Sequence, residues 1–155
     1  MQKTASSQYS ILYLQGPNLH ALGLREPEVY GSSTYLDLVQ RLDKFARKNN
    51  SLSYHFQSDH ESKLIERLYQ NDFDGCVCNP AAFTHTSIGL RDAFLSTQKP
   101  FIEVHISNIY RREYFRQKSY FADIAIGSII GLGIQGYELA TIALLNHLKK
   151  QDQQA

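Results

Sequence analysis

I-L-Y-L-Q-G-P-N-L-H-A-L-G-L-R-E-P-E-V-Y-G, residues Ile11 to Gly31, opens with an apolar run that reads as a buried strand. Gly16-Pro17-Asn18 breaks that strand sharply. Beyond the break the segment offers an amide (Asn18), a cation (Arg25) and a phenol (Tyr30) on backbone punctuated by glycine and proline. A loop that merely connects would not need all three. A buried strand that empties into a polar loop is the repeating unit of a sheet covered by helices, and the rest of the chain repeats it.

After this loop, Tyr35, Leu38, Val39, Leu42, Phe45 and Ala46 fall at helical spacing, with Thr34 and Asp37 as a cap pair and Asn49-Asn50 as the stop. Leu52, Tyr54 and Phe56 alternate as a second strand. Ser58 and Glu61 form a capping-box pattern before a helix carrying Leu64, Ile65 and Leu68. Gly75 to Asn79 is a third strand, ended by Pro80 and followed by a helix from about Thr86 to Leu95. Phe101 to His105 is a fourth, leading into an arginine-rich connection from Ser107 to Lys118. Ile126 to Gly131 and the helix Ile134 to Leu148 close the chain, with residues 1–8 and 150–155 as loose ends. The expected fold is α/β: a flavodoxin-like, doubly wound parallel sheet of five strands, order 2-1-3-4-5, with helices on both faces. Residues 1–155 read as a single domain with its core at about 9–148.

Composition removes several function classes. Sixteen basic residues against fifteen acidic ones give a net charge of +1, without a run of one sign, so nucleic acid is not an expected partner. No stretch approaches the apolar length of a membrane span and the N-terminus has no apolar core of a signal peptide, so a soluble, cytoplasmic protein is expected. Cys76 and Cys78 are expected on opposite faces of a strand, as buried reduced thiols unable to bridge each other.

Ligands on doubly wound sheets bind beyond the carboxyl ends of the strands. Those ends are polar here: Gln15 to Asn18, then Asn79, then Glu103, His105 and Ser107. Glu103-Val104-His105 sets a carboxylate and an imidazole on one face of a strand. A carboxylate so placed orients the ring and favours its protonated form, as a general acid near neutral pH requires. No metal is expected: His60-Glu61 is followed at the required position by Leu64 rather than a second histidine, and neither cysteine has zinc-like spacing. Lys99 lies at the entry side of its strand, which disfavours Schiff-base chemistry. Gly131, Gly133 and Gly136 match a dinucleotide fingerprint, but at the last strand rather than the first, and are better read as packing glycines. Arg91-Asp92 reads by default as a solvated ion pair on the first turns of a helix, and Arg111, Arg112 and Arg116 leave the strand end that holds His105.

Four motifs occur in order: G-P-N-L-x-x-L-G-x-R-E-P-x-x-Y-G from Gly16, N-P-A-A-F-T-H-T-S from Asn79 with Arg91-Asp92 following, F-I-E-V-H-I-S-N from Phe101, and R-E-x-F-R from Arg112. On these the chain resembles the type II 3-dehydroquinate dehydratases across roughly residues 9 to 148. The resemblance implies removal of water from 3-dehydroquinate by anti elimination through an enolate, with neither metal nor cofactor. It implies Tyr30 as the base, Arg25 keeping its phenolate accessible, and Asn18 holding the water that stabilises the enolate oxygen. It makes His105, oriented by Glu103, the general acid. The substrate carboxylate would sit on Ile106 and Ser107, the ring hydroxyls on Asn79, His85 and Arg116, and Arg112 would help close the lid. It also implies trimers packed into a homododecamer, with Asp92 reaching a neighbour's site.

Gln15, Asp59 and Ser62 depart from the commonest pattern of that family, none at a position with a chemical role, which points to local packing or subunit contacts. The alternative is a flavodoxin-like module that binds phosphate or flavin without catalysis. It would need hydroxyl-rich contacts after the first strand, and Gly16 to Gly23 contains no serine or threonine. Aromatic biosynthesis and quinate breakdown need the same conversion, and both stay open.

Overall fold

The computed structural model describes residues 8–24, 28 and 32–155. Strands β1 (Tyr9–Gln15), β2 (Ser51–Gln57), β3 (Gly75–Asn79), β4 (Phe101–His105) and β5 (Gly127–Ile130) alternate with helices α1 (Tyr35–Lys48), α2 (Glu61–Tyr69), α3 (Ile88–Thr97) and α4 (Gln135–Gln154). All strand pairs are parallel, in the order β2-β1-β3-β4-β5. The doubly wound sheet expected from the strand-helix alternation is therefore present. Among the described residues no helix is long and apolar enough to cross a membrane.

Strand alternation divides the core into two layers. Ile11 and Tyr13 of β1 face the side covered by α1 and α4, where Leu38, Leu42 and Leu144 are fully or almost fully buried. Leu12 and Leu14 face the side of α2 and α3, against Leu64, Leu68, Leu90 and Phe94. Each such leucine contributes roughly 1.5–3 kcal/mol of transfer free energy. Cys76 and Cys78 lie together in the second layer, both buried and free, and not on opposite faces. Residues two apart on a strand must share a face, because the side-chain period is two.

The first helix starts as its sequence predicts: Thr34 and Asp37 form a reciprocal capping box. The second does not. His60 occupies the N-cap of α2, Ser58 Oγ accepts the His60 N–H at 3.0 Å, and Glu61 instead accepts a hydrogen bond from the Ser87 hydroxyl. The third helix begins two residues later than expected, at Ile88, because Ala81–His85 forms a tight 3-10 turn and the Ser87 hydroxyl caps α3 by accepting the Leu90 N–H. The C-terminus is no loose end: α4 runs to Gln154, and the Tyr9 hydroxyl bonds Asp152.

What positions the site is the register of the strand ends. Gln15 stands opposite both Gln57 and Asn79, and Cys78 opposite Glu103, so β1, β2, β3 and β4 terminate side by side. Immediately beyond, the Gly16 N–H donates to the Asn79 carbonyl at 2.8 Å. A Cβ on Gly16 would lie 2.2 Å from the Pro80 carbonyl oxygen, so only glycine lets the two loops touch. Gly16→Ala should therefore destabilise the protein by about 2 kcal/mol or more, measured by urea unfolding. A variant of unchanged stability would show that these loops do not need their close approach.

Candidate active site

A cavity of about 220 Å³ opens where β1, β3 and β4 end. Its walls hold Asn18, Asn79, His85, His105, Ile106, Ser107, Arg112 and Arg116, brought together from four stretches of the chain, with Leu19, Leu22 and Ile109 as apolar lining. Eight of the twelve residues singled out in the sequence meet there. Glu103 lies directly behind His105. Asp92 is exposed on α3 and does not line the cavity. Arg25 and Tyr30 fall outside the described residues.

Asn18 adopts the left-handed conformation, φ 68°, at the head of a short 3-10 turn. Its N–H donates to Asp59 Oδ1 at 2.8 Å, and the same oxygen takes a hydrogen from Gln57 Nε2 and stands 3.3 Å from His20 Nδ1. The Asn18 N–H bond, first among several contacts, holds the Asp59 carboxyl below its usual pKa. Asp59, expected to bear on local packing or subunit contacts, thus fixes the backbone of a site residue.

Asn79 is buried and its carboxamide is oriented from below. Its Nδ2 donates to the Tyr137 hydroxyl at 2.8 Å, and that hydroxyl donates to Gln15 Oε1 at 2.8 Å. Its Oδ1 accepts the Ala81 N–H. The Tyr137 phenol is fully buried, and burial drives its pKa far above the usual value, so it stays neutral. Gln15, the second family departure, is therefore part of the support under Asn79, with its Nε2 lacking a hydrogen-bond partner among the described residues.

His85 Nδ1 lies 2.7 Å from the Lys118 carbonyl. A carbonyl only accepts, so Nδ1 carries a proton and Nε2 is the nitrogen left for a ligand. His105 Nε2 meets Glu103 Oε1 at 2.8 Å, leaving Nδ1 uncommitted to the carboxylate on a ring that lines the cavity. Glu103 has no exposed surface. Burial pushes its pKa up, but the His105 hydrogen bond and charge, then the Ser119 and Thr84 hydroxyls, outweigh burial and hold it below the usual value. Ser128 Oγ adds a longer contact at 3.2 Å.

The loop after β4 is anchored by the glycines read as packing residues. The Gly131 N–H binds the His105 carbonyl and the Gly133 N–H the Ile106 carbonyl, both at 3.0 Å. Both glycines have positive φ, 83° and 60°, while a Cβ on Gly136 would press on Ile129 at 3.3 Å. Arg116 Nε pairs with Glu113 at 2.7 Å. Arg91 does not pair with its neighbour Asp92; it grips Asp123 and the Tyr120 carbonyl instead. Sequence reasoning missed Ser119, Ser128 and Tyr137 as supports of the site. Their partners are set by tertiary contact, and unlike Thr84 they lay outside the quoted motifs.

Residues 9–145 match the family Dehydroquinase class II. A 3-dehydroquinate dehydratase of Francisella philomiragia is 49% identical over 138 residues, covering 89% of this chain and 95% of that protein. The type II dehydroquinase of Propionibacterium acnes superposes with a TM-score of 0.83 at 41% identity, covering 92% of this chain and 99% of that one. That of Butyrivibrio crossotus gives 0.86 at 39% identity, covering 89% and 98%.

The depressed Glu103 pKa has a consequence for stability. A group depressed on folding lends stability above its unfolded pKa, about 4.3 for glutamate, and loses it as pH falls through the folded value. The native protein should be more stable than Glu103→Gln near neutral pH, with the difference in melting temperature closing below about pH 4. A difference that persists undiminished to about pH 3 would show that the carboxylate's charge is not what the fold uses.

Proposed function

The chain belongs to the class II dehydroquinase family, hydro-lyases that dehydrate 3-dehydroquinate, and from that premise we propose how its residues divide the reaction. The observation that carries the reading is His105, backed by a buried carboxylate with a depressed pKa, on the wall of a cavity rich in amides and arginines. Such an imidazole suits a proton donor to a departing hydroxyl. The substrate is a small polyhydroxylated ring with one carboxylate, and the cavity offers donors for both kinds of group.

In the proposed sequence the Tyr30 phenolate removes a proton from C2, and the electron pair moves into the adjacent carbonyl to form an enolate. An unperturbed tyrosine has a pKa of about 10, so ionisation near neutral pH needs roughly 4 kcal/mol of differential stabilisation. Arg25, five residues earlier in the same segment, supplies positive charge for it. Asn18 holds a water against the developing oxyanion. The enolate then re-forms the ketone as the C1 hydroxyl leaves, taking a proton from His105 and departing as water. The reaction as proposed uses neither metal nor cofactor.

The substrate carboxylate is assigned to the backbone amides of Ile106 and Ser107 and to the Ser107 hydroxyl. This assignment draws support from the fixed carbonyls of His105 and Ile106, which hold those peptide planes. Asn79, His85 and Arg116 take the ring hydroxyls, and Arg112 closes over the ligand. Direct conversion of 3-dehydroquinate, followed by the rise of conjugated-enone absorbance, tests the whole reading. Tyr30→Phe should abolish turnover while a substrate analogue still binds, and near-normal turnover would remove Tyr30 as the base. His105→Ala should lower kcat far more than it raises KM; the reverse pattern would make His105 a binding residue.

Assembly enters the same proposal, as a cytoplasmic dodecamer of trimers. Ile88 and Leu95 stand half exposed on α3, one turn to either side of Asp92 on the same helical face. A second subunit covering that face would bring the Asp92 carboxylate toward the neighbour's Tyr30 and Arg25. Twelve chains of 17.7 kDa weigh about 212 kDa, the mass expected by light scattering. Asp92→Ala should lower kcat in a correctly assembled particle, whereas a fully active monomer would overturn the shared site.

A further inference from the structure

Three consecutive residues beyond the arginine-bearing segment each bond a different part of the site. The Lys118 carbonyl accepts the His85 Nδ1 hydrogen at 2.7 Å, the Ser119 hydroxyl meets Glu103, and the Tyr120 N–H donates to the Thr84 carbonyl at 2.9 Å. None of them lines the cavity. The Tyr120 carbonyl is itself held by Arg91 at 2.7 Å.

We propose that residues 118–120 form a clasp and that Ser119 is a positioning residue for the elimination, its hydroxyl fixing the Glu103 carboxylate behind His105. The inference rests on the reading of His105 as the general acid and assigns Ser119 no contact with substrate.

The geometry dictates which way the Ser119 hydrogen points. Its Oγ receives the N–H groups of Phe121 at 3.0 Å and Ala122 at 3.1 Å. A hydroxyl has two acceptor lone pairs and one proton, so with both lone pairs occupied the proton is left to donate. Oγ stands 2.9 Å from both Glu103 oxygens, astride the carboxylate. Two amides donating into the oxygen also polarise the O–H and strengthen it as a donor. The other hydroxyls are less constrained: Thr84 Oγ1 lies 3.1 Å from the carboxylate but also 3.4 Å from His105 Nε2, and Ser128 is at 3.2 Å.

Within this arrangement the carboxylate remains an acceptor. Among the described residues, the titratable groups facing it are His105 on its own strand and the Cys78 thiol across the sheet on β3. Burial, then the neighbouring Cys76 thiol, raises the Cys78 pKa well above its usual value, so Cys78 stays neutral and, among the described residues, His105 is left as the titratable partner of the carboxylate. A carboxylate held in place as an acceptor takes the Nε2 hydrogen of His105 and so fixes the orientation of the ring from which, on the proposed reading, the leaving hydroxyl draws its proton. The clasp also gives the segment bearing Arg112 and Arg116 a fixed end at Lys118, opposite its other fixed end at β4.

Ser119→Ala deletes the one donor whose direction the backbone sets. We expect kcat to fall about tenfold with KM within about twofold of the native value, since a hydrogen bond to a charged group is being lost. On this reading the acidic limb of the kcat–pH profile belongs to the base Tyr30 and the alkaline limb to the general acid, and a carboxylate no longer fixed behind His105 moves the alkaline limb to lower pH by about 0.5 or more. Ser119→Thr, which keeps the hydroxyl, should restore both. A purely structural role would reduce the active fraction without moving the alkaline limb. His105→Ala, measured alongside, separates the two readings. If it retains kcat, the general-acid assignment fails and the clasp's role with it. If it loses kcat while Ser119→Ala leaves the limb in place, the clasp alone is overturned. Should the alanine variant fail to fold, Ser119→Cys keeps the shape with a weaker donor and must move the limb in the same direction. An unmoved limb there overturns the proposal equally.

Discussion

A carboxylate with no solvent contact cannot remain charged unless the fold surrounds it with donors, and Glu103 is the constraint around which this molecule's C-terminal edge is organised. Its partners come from separate elements: His105 from its own strand, Thr84 from the turn after β3, Ser128 from β5, and Ser119 from the connection between β4 and β5. No local structure could supply them all. The sheet order that sets β4 between β3 and β5 is what lets the three neighbouring stretches converge on one side chain. Losing one donor leaves the remaining partners to carry a buried charge, so each of these contacts is tied to the others.

Strand limits were most legible where burial is complete on both faces. β3 and β4 have the limits their apolar runs predict, because every residue of each is buried and a polar or proline residue ends each run. Helix starts were legible where the cap is local and ambiguous where it is not: Thr34 and Asp37 satisfy each other, whereas Ser58 and Glu61 are separated by His60, and Glu61 is drawn to Ser87, 26 residues away. The site was legible as strand-end chemistry, since the parallel topology sends Asn18, Asn79 and His105 to one edge. Ser119 carried no such signal. A serine in a polar connection resembles any other until the chain returns it to a carboxylate 16 residues earlier.

The two family departures that touch the site act through support and leave the cavity's donor set unchanged. Gln15 takes the hydroxyl hydrogen of Tyr137, and Tyr137 takes a hydrogen of Asn79, giving the chain of bonds a direction that fixes which atom of Asn79 is which. Reversal of that direction would turn the Asn79 amide nitrogen toward the Ala81 N–H, which would lose its acceptor. Asp59 works from the opposite rim, where one carboxylate oxygen accepts from the Asn18 backbone and from Gln57. The left-handed conformation of Asn18 is thereby tied by an ionic acceptor to the end of β2.

The proposed anti elimination needs its base and its acid on opposite faces of the ring, and the residues proposed for the two roles come from different parts of the chain. The acid side is built on the end of a fully buried strand, whose imidazole is aligned by a carboxylate and whose adjoining peptides are fixed by glycine N–H groups. The residues assigned to the base side, Arg25 and Tyr30, belong in sequence to the connection between β1 and α1, which begins at Gly16 and Asn18. The Gly16 N–H bond to the Asn79 carbonyl ties the start of that connection to the end of β3. A glycine that tolerates this approach, an Asn79 oriented from beneath and an Asn18 tied to Asp59 together fix the cavity wall on the β1 and β3 side, and preorganised walls of this kind are what the proposed elimination needs to hold one small ring in a reactive geometry.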